Sequence, residues 1–256
     1  MNELKGIYAL WYRELKVFLR ERSRVVASIV NPLLWFVIIG SGIGSVVSFN
    51  GINYQTFLYP GILIQATLFS SIFYGVYIVW DRKIDFLKEV LVAPISRTSI
   101  FIGKVIGGAT DTFMQLSVLL LIGFIFNSIG LMKGVNFNLI SVFLSIIILF
   151  ITTISLVSIG LILGSQMESP EGFQLIGSFV IFPMFFLSGA LFPIDNLPEW
   201  LSPFVFIDPI TYSVDALRGI LLGISHFPIL FDFSVVTIFS VFILLLGIYA
   251  FERMKV

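Results

Sequence analysis

LISVFLSIIILFITTISLVSIGLIL, residues 139–163, holds no charged side chain and is longer than the about 20 helical residues that cross a hydrocarbon core of about 30 Å. It lacks the strict alternation of a barrel strand, and backbone groups in lipid must bond within their own segment, so it reads as a membrane-spanning helix. Five further apolar runs flank it, at 25–47, 57–80, 100–126, 173–192 and 233–251. The fold expected is therefore an all-α integral membrane protein with six transmembrane helices, a single domain over 1–256 with an arm at 1–24 and a six-span bundle at 25–251.

Composition points the same way. Of 256 residues, 58% are hydrophobic and 12% charged, about half the roughly 25% charged share of a soluble domain. Cysteine is absent, so there is no disulfide framework and no thiolate metal site. The charged residues ahead of the first span do not resemble a cleavable signal, and the chain reads as mature protein.

Although the formal net charge is zero, the charges are unevenly placed. Arginine and lysine concentrate before the first span, between the second and third, and after the sixth, where Lys255 lies; only Lys133 and Arg218 fall on the other side. The positive-inside rule then sets both termini in the cytoplasm. Before the first span, Leu4, Ile7, Tyr8, Trp11, Leu15, Phe18 and Leu19 share a helical face opposite Glu3, Arg13, Lys16 and Arg20. This reads as an amphipathic interfacial helix, either an anchoring arm on lipid or a relay of motion.

Between the second and third spans runs DRKIDFLKEVLVAPISRTS, residues 81–99. Ile84, Leu87, Val90 and Leu91 recur at helical spacing among Lys83, Asp85, Lys88 and Glu89, and Pro94 closes the segment. A short amphipathic cytoplasmic helix is expected, lying on lipid or fitting a groove on a soluble partner.

The stretch Phe86 to Arg97 with Gly103-Lys104, and FPMFFLSGALFPIDNLPEWL at 182–201 continued by Asp208-Pro209-Ile210-Thr211-Tyr212 and Asp215-Ala216-Leu217-Arg218-Gly219, resemble segments of the permease subunits of type-2 ABC exporters. The likeness covers nearly the whole chain and is nearest to the daunorubicin-resistance-like and nodulation-oligosaccharide-like permeases. It implies an ATP-driven exporter of an amphipathic drug, lipid or lipid-linked glycan, with two permease copies, as a homodimer, resting on cytoplasmic ATPase subunits. It further implies that the helix at about 82–92, with Arg82, Lys83, Ile84, Leu87, Lys88, Glu89, Val90 and Leu91, is the coupling helix. The second and fifth spans would line the pathway, with Gln65, Phe69, Phe73, Tyr77, Phe182, Phe185 and Phe186 as its walls; with 28 phenylalanines in the chain, lipid-facing or packed positions are the competing reading.

No phosphate loop is present, since the nearest approach, 98–105, lacks the first glycine and the final hydroxyl. Hence no enzymatic activity and no cofactor are expected in this chain, with ATP and magnesium on the partner. Nucleic acid is not an expected partner; membrane lipid is, in a prokaryote-like plasma membrane.

Ionisable groups within spans need an account because they are costly there. Lys104 is placed to snorkel to the cytoplasmic headgroups. Asp111 and Gln115 share its face, and Asp111 is expected to bond Gln115, a neighbouring helix or water, or else to serve substrate or protons. The alternative function is accordingly a secondary carrier or channel with Asp111 as relay, although the paired repeats of such carriers are not evident. Gly40 and Gly44, Gly103 and Gly107, and Gly160 and Gly164 have the spacing that permits close helix approach.

On the external side, 195–231 is too long and apolar for a plain loop. Asp208 can cap a helix that begins with Pro209 and ends near Gly223, with Asp215 and Arg218 on one turn. An amphipathic re-entrant hairpin between spans five and six follows, bearing Trp200, Phe204, Phe206 and Tyr212, as a cap on the exit or an interfacial anchor. The single histidine, His226, reads as a surface residue, and no metal site is expected.

Overall fold

The computed structural model describes residues 3–44, 48–49 and 51–254; Val47, the expected end of the first span, and Lys255 lie outside them. Eleven α-helices are formed among these residues: α1 (Glu3–Arg20), α2 (Arg22–Gly44), α3 (Tyr54–Phe73), α4 (Val76–Lys83), α5 (Phe86–Val92), α6 (Arg97–Ser128), α7 (Leu139–Gln166), α8 (Pro170–Leu187), α9 (Ser202–Ile207), α10 (Pro209–Leu222) and α11 (Ile229–Glu252). One small departure from an all-helical chain is a two-residue antiparallel pairing of Ser48–Phe49 with Ile52–Asn53. Among the described residues, six segments are long and apolar enough to cross a membrane: α2, Tyr54–Lys83 (α3 with α4), α6, α7, α8 and α11.

Side-chain chemistry sets many of the boundaries. The side chains of Asn53, Ser96, Asn138, Ser169 and Asp208 accept hydrogen bonds from the first turns of α3, α6, α7, α8 and α10, satisfying amides that otherwise lack partners. Pro170 and Pro209 begin α8 and α10, where a missing amide costs nothing. Gly223 ends α10 at φ +71°, a left-handed conformation that glycine adopts without strain.

α3 sits at the centre, buried along nearly its whole length and touching α2, α6, α7, α8 and α10, whereas α2 and α11 turn most of their residues outward. Between α3 and α4 the helix tightens: Gly75 N–H bonds the Ile72 carbonyl and Ile78 N–H the Gly75 carbonyl. This is the three-residue spacing of a 3₁₀ turn, a geometry often found at hinges. At that turn the backbone of Gly75 lies directly on α7. A methyl at Gly75 would collide with the Gly160 carbonyl, and one at Gly164 with the Gly75 carbonyl.

All three glycine pairs thus serve contacts within the chain. Gly103 and Gly107 of α6 receive Leu10 and Glu14 of α1, and Gly40 and Gly44 lie against 53–58 at the start of α3. The face that α1 buries is Gly6, Leu10, Glu14 and Phe18. It is offset from the apolar face expected from sequence, whose Leu4, Tyr8 and Leu19 are exposed.

α10 corrects another expectation. The re-entrant hairpin expected there does not carry an amphipathic helix, for α10 is buried on almost every side against α3, α7, α8 and α11. Ser213 and Thr152 make a hydroxyl–hydroxyl bond of 2.9 Å, about 20 Å along α7 from its start at 1.5 Å per residue. The segment therefore turns back deep into the bundle, while Trp200, just before α9, and Phe204 within it stay exposed.

Candidate functional site: a cavity and the charged joint beneath it

A cavity of about 580 Å³ opens among α2, α3, α4, α6 and α8. Of the pathway residues expected from sequence, Gln65, Phe69, Phe73, Tyr77 and Phe182 line it. Phe185 and Phe186 do not. Phe185 is buried in the core, edge-on to Trp35 at 6.3 Å, and Phe186 is 47% exposed one position further round α8. The other wall was missed by the sequence reading: α2 contributes Ser28, Asn31 and Trp35, with Gln115 from α6 and Gln174 from α8. Apolar residues lie on every side of α2, so their spacing marks no preferred face around Asn31 and Pro32 and leaves this wall hidden.

Arg24 lines the end of the cavity nearest α1. Its Nη1 donates to the Tyr77 hydroxyl, which donates to Glu21 at 2.6 Å. Glu21 and Asp111 carboxylates stand 3.8 and 3.9 Å from that same nitrogen. Asp111 thus finds its partner on a neighbouring helix, while Gln115 donates instead to the Ser28 carbonyl at 2.5 Å. Asp111 does not reach the cavity surface.

One helical turn beyond the cavity lies a closed group of four charges. Lys104, fully buried, contacts Asp81 at 2.5 Å and Glu14 at 3.2 Å. Arg13 reaches the same two carboxylates, Glu14 at 2.7 Å and Asp81 at 2.8 Å. Lys104 consequently does not snorkel to the headgroups: α1 covers it and supplies Glu14, so the ammonium is neutralised in place. Burial alone pushes the Glu14 carboxyl up, but Lys104 and then Arg13 outweigh it and hold it below the ordinary range. For Arg13, burial works against the charge and Asp81 and Glu14 raise it.

The Arg13 guanidinium also stacks over the ring of Phe86, 3.8 Å from its centre. Phe86 is the first residue of α5, so the charged group, the end of α4 and the loop helix meet at one point. α5 is shorter than the 82–92 helix expected. Arg82 and Lys83 finish α4, and the chain bends at Ile84 and Asp85, the latter at φ +58°. Arg82 donates to the Ser165 and Met167 carbonyls at the end of α7; Arg97 donates to those of Glu252 and Met254 after α11. Cations are favoured at helix C-termini, and here they pin both flanks of α5 to the bundle.

The faces of α5 also differ from a partner-facing apolar stripe. Leu87 is wholly buried and Val90 nearly so, packed inward with Ile78, Ile100 and Phe101, and Leu91 packs against them. The outward side presents Ile84, Lys88, Glu89 and Val92, with Lys88 paired to Asp85 at 2.7 Å.

At the opposite end of the bundle, Arg218 donates to the Gly189 carbonyl at 2.9 Å and lies over the Phe57 ring. Asp215, one turn away, accepts from the backbone amides of His226 and Phe227 rather than pairing with Arg218. His226 is partly exposed, with Nδ1 2.7 Å from Asp195.

Several known proteins are similar to this chain in sequence. A transport permease, ycf38, of Cyanophora paradoxa is 30% identical over 227 residues, 86% of this chain and 75% of its own length. The inner membrane transport permease YadH of Escherichia coli K12 is 26% identical over 244 residues, 92% of this chain and 90% of its own. An ABC transporter permease named for doxorubicin resistance, DrrC of Mycobacterium tuberculosis, is 27% identical over 219 residues, covering 82% and 75%. The sequence profile of the ABC-2 type transporter matches residues 5–222. With its six apolar helices, this chain is a multi-pass plasma-membrane permease that belongs to the ABC-2 type transporter family.

Proposed function

We propose that the chain is the membrane subunit of an ATP-driven exporter, that the cavity holds an amphipathic cargo in transit, and that α5 receives the stroke of a cytoplasmic ATPase. Both termini and α5 lie in the cytoplasm in this reading, and the turned-back α10 forms an external cap. A second copy pairs with the first and covers the exposed faces of α2 and α8.

The observation that carries the reading is the position of α4. Its first residues, Val76 and Tyr77, form cavity wall, and its last, Arg82 and Lys83, lead into α5 through the bend at Ile84 and Asp85. The seven steps from Val76 to Lys83 at 1.5 Å each place the two ends about 10.5 Å apart on one rigid rod. The tightened turn at Gly75, touching α7, is the fulcrum. A push on α5 then tilts the wall that holds cargo, which is the linkage alternating access requires. The covered Leu87 face keeps α5 on the bundle, and the exposed Ile84, Lys88, Glu89 and Val92 meet the partner.

The test is co-purification of the full chain with its ATPase subunit, together with transport-coupled ATP hydrolysis. Ile84→Asp with Val92→Asp is expected to lower both at least tenfold while leaving the permease folded in the membrane. Unaltered assembly and coupling would remove α5 from the mechanism. A carrier that runs on Asp111 would behave differently: transport would follow an ion gradient without any ATPase and vanish in Asp111→Asn.

A further inference from the structure

Half of the polar side chains lining the cavity are carboxamides, the others being Arg24, Ser28, Ser70 and Tyr77. Asn31, Gln65, Gln115 and Gln174 line it, alternating with the rings of Trp35, Phe69, Phe73 and Phe182. Two of those amides, Gln65 and Gln115, are about 96% buried, each 4% exposed, and the Oε1 of each makes no hydrogen bond among the described residues. For Gln115 the orientation is fixed: its Nε2 donates to the Ser28 carbonyl at 2.5 Å, and exchanging the two ends would set oxygen against oxygen. Its Oε1 must therefore act as an acceptor. Buried acceptors without donors are costly, and both side chains belong to walls of the same cavity; each Oε1 has less than 1 Å² of open surface, so the wall must part slightly for a donor on the cargo to reach it.

Among the described residues of the wall, the one charged side chain is Arg24, and its charge is already opposed. Its Nη1 is held by the Tyr77 hydroxyl, with the carboxylates of Glu21 and Asp111 both within 4 Å. Whether or not Asp111 is protonated, this cluster carries no surplus positive charge. An anionic head would have to displace Glu21 or Asp111 to gain a partner.

Resting on the reading of this cavity as the cargo path, we infer that the cargo carries an uncharged head rich in hydroxyl or N–H donors, which Gln65 and Gln115 accept, on a flat or apolar body held by the rings. Pockets that match buried polar groups to a ligand hydroxyl reject analogues lacking it more strongly than apolar pockets reject a missing methylene. Selection at Gln65 and Gln115 thus distinguishes donor-bearing amphipaths from hydrocarbons and from anionic lipids.

Trp35 supplies the reporter. In the full chain in lipid nanodiscs, with Trp11, Trp80 and Trp200 changed to phenylalanine, energy transfer from Trp35 to a dansyl group measures occupancy. Three probes share one dansyl-alkyl body and differ in the head: glucosyl, its O-methylated ether, or sulfate. Glucosyl is expected to bind about tenfold more tightly than the ether, in line with loss of donors to two buried acceptors, and sulfate no more tightly than the ether. In Gln65→Leu and Gln115→Leu the glucosyl advantage is expected to collapse to about twofold or less while the ether binds as before. Equal glucosyl and ether affinities in the wild-type wall overturn the inference whatever the variants do. A preference for sulfate that disappears in Arg24→Gln overturns it in favour of an anion site. Absence of saturable transfer with all three probes removes the cargo-path reading, and this inference with it.

Discussion

The two ends of the bundle treat buried charge in opposite ways. Near α5, Lys104, Glu14, Asp81 and Arg13 form a closed set in which every charge has an opposite partner within 3.2 Å. Around α10, Asp232 is fully buried with its carboxylate set against that of Asp215, like charge on like charge, and Asp208 Oδ2 and Arg218 Nε lack partners among the described residues. A closed set resists separation of the helices that carry it, because parting them strands charges in a poor solvent. Unpaired groups offer no such resistance. The difference assigns rigidity to the end that would take up force and looseness to the end that would have to open.

The largest effect should come from breaking the closed set. Lys104→Met leaves two carboxylates sharing Arg13 and is expected to cost about 3–5 kcal/mol, the usual toll for removing one member of a buried pair. Thermal unfolding in detergent, followed by size-exclusion recovery, measures it. Adding Glu14→Gln to Lys104→Met restores neutrality and should recover more than half of the loss. A full loss in the double variant would mean that packing, not charge, holds α1 on α6.

A smaller effect is expected at Asp208, whose carboxyl burial pushes up to about 7 from 3.8, the single bond from Ile210 N–H opposing this only in part. The folded state then binds more protons than the unfolded one between about 4 and 7, so stability falls as pH rises through that window and levels off above it. Asparagine caps a helix equally well. Asp208→Asn should thus flatten that decline, read as the change in thermal midpoint across the window. An unchanged slope would show that the carboxyl is better solvated than its burial implies.

The smallest change belongs to Asp232→Asn. It removes one of two abutting buried carboxylates, and the new amide can donate to Asp215, so stability should shift by less than about 1 kcal/mol or rise. A loss comparable to that of Lys104→Met, measured by the same thermal unfolding, would erase the contrast between the two ends.

Sequence alone located the spans because lipid imposes length and polarity on every one of them. It also located the cap at Asp208, whose chemistry is local. The closed charge set was not legible for the opposite reason. Glu14 on an amphipathic arm looks like any solvated acid, and its partner Lys104 is 90 positions away. The direction of Leu87 was equally hidden: an amphipathic helix has the same spacing whether its apolar face turns toward the bundle or toward a partner. Phe182, Phe185 and Phe186 are near neighbours in an apolar helix, and only the angle at which α8 meets α3 decides that the first lines the cavity, the second packs in the core and the third faces out. The family likeness pointed to a helix in this loop but set its start at Arg82, before the left-handed bend at Asp85.

The crossing of Gly75 with Gly160 has a bearing on redesign. Main chain lies on main chain there, leaving no side chain whose exchange would adjust the angle or the spacing by degrees. On the proposal that the cavity carries the cargo, anyone retargeting the permease to a new compound has freedom in the amides and rings around it, but this contact must be inherited unchanged. Variation among natural relatives should therefore thin out at these glycines even where their transported molecules diverge.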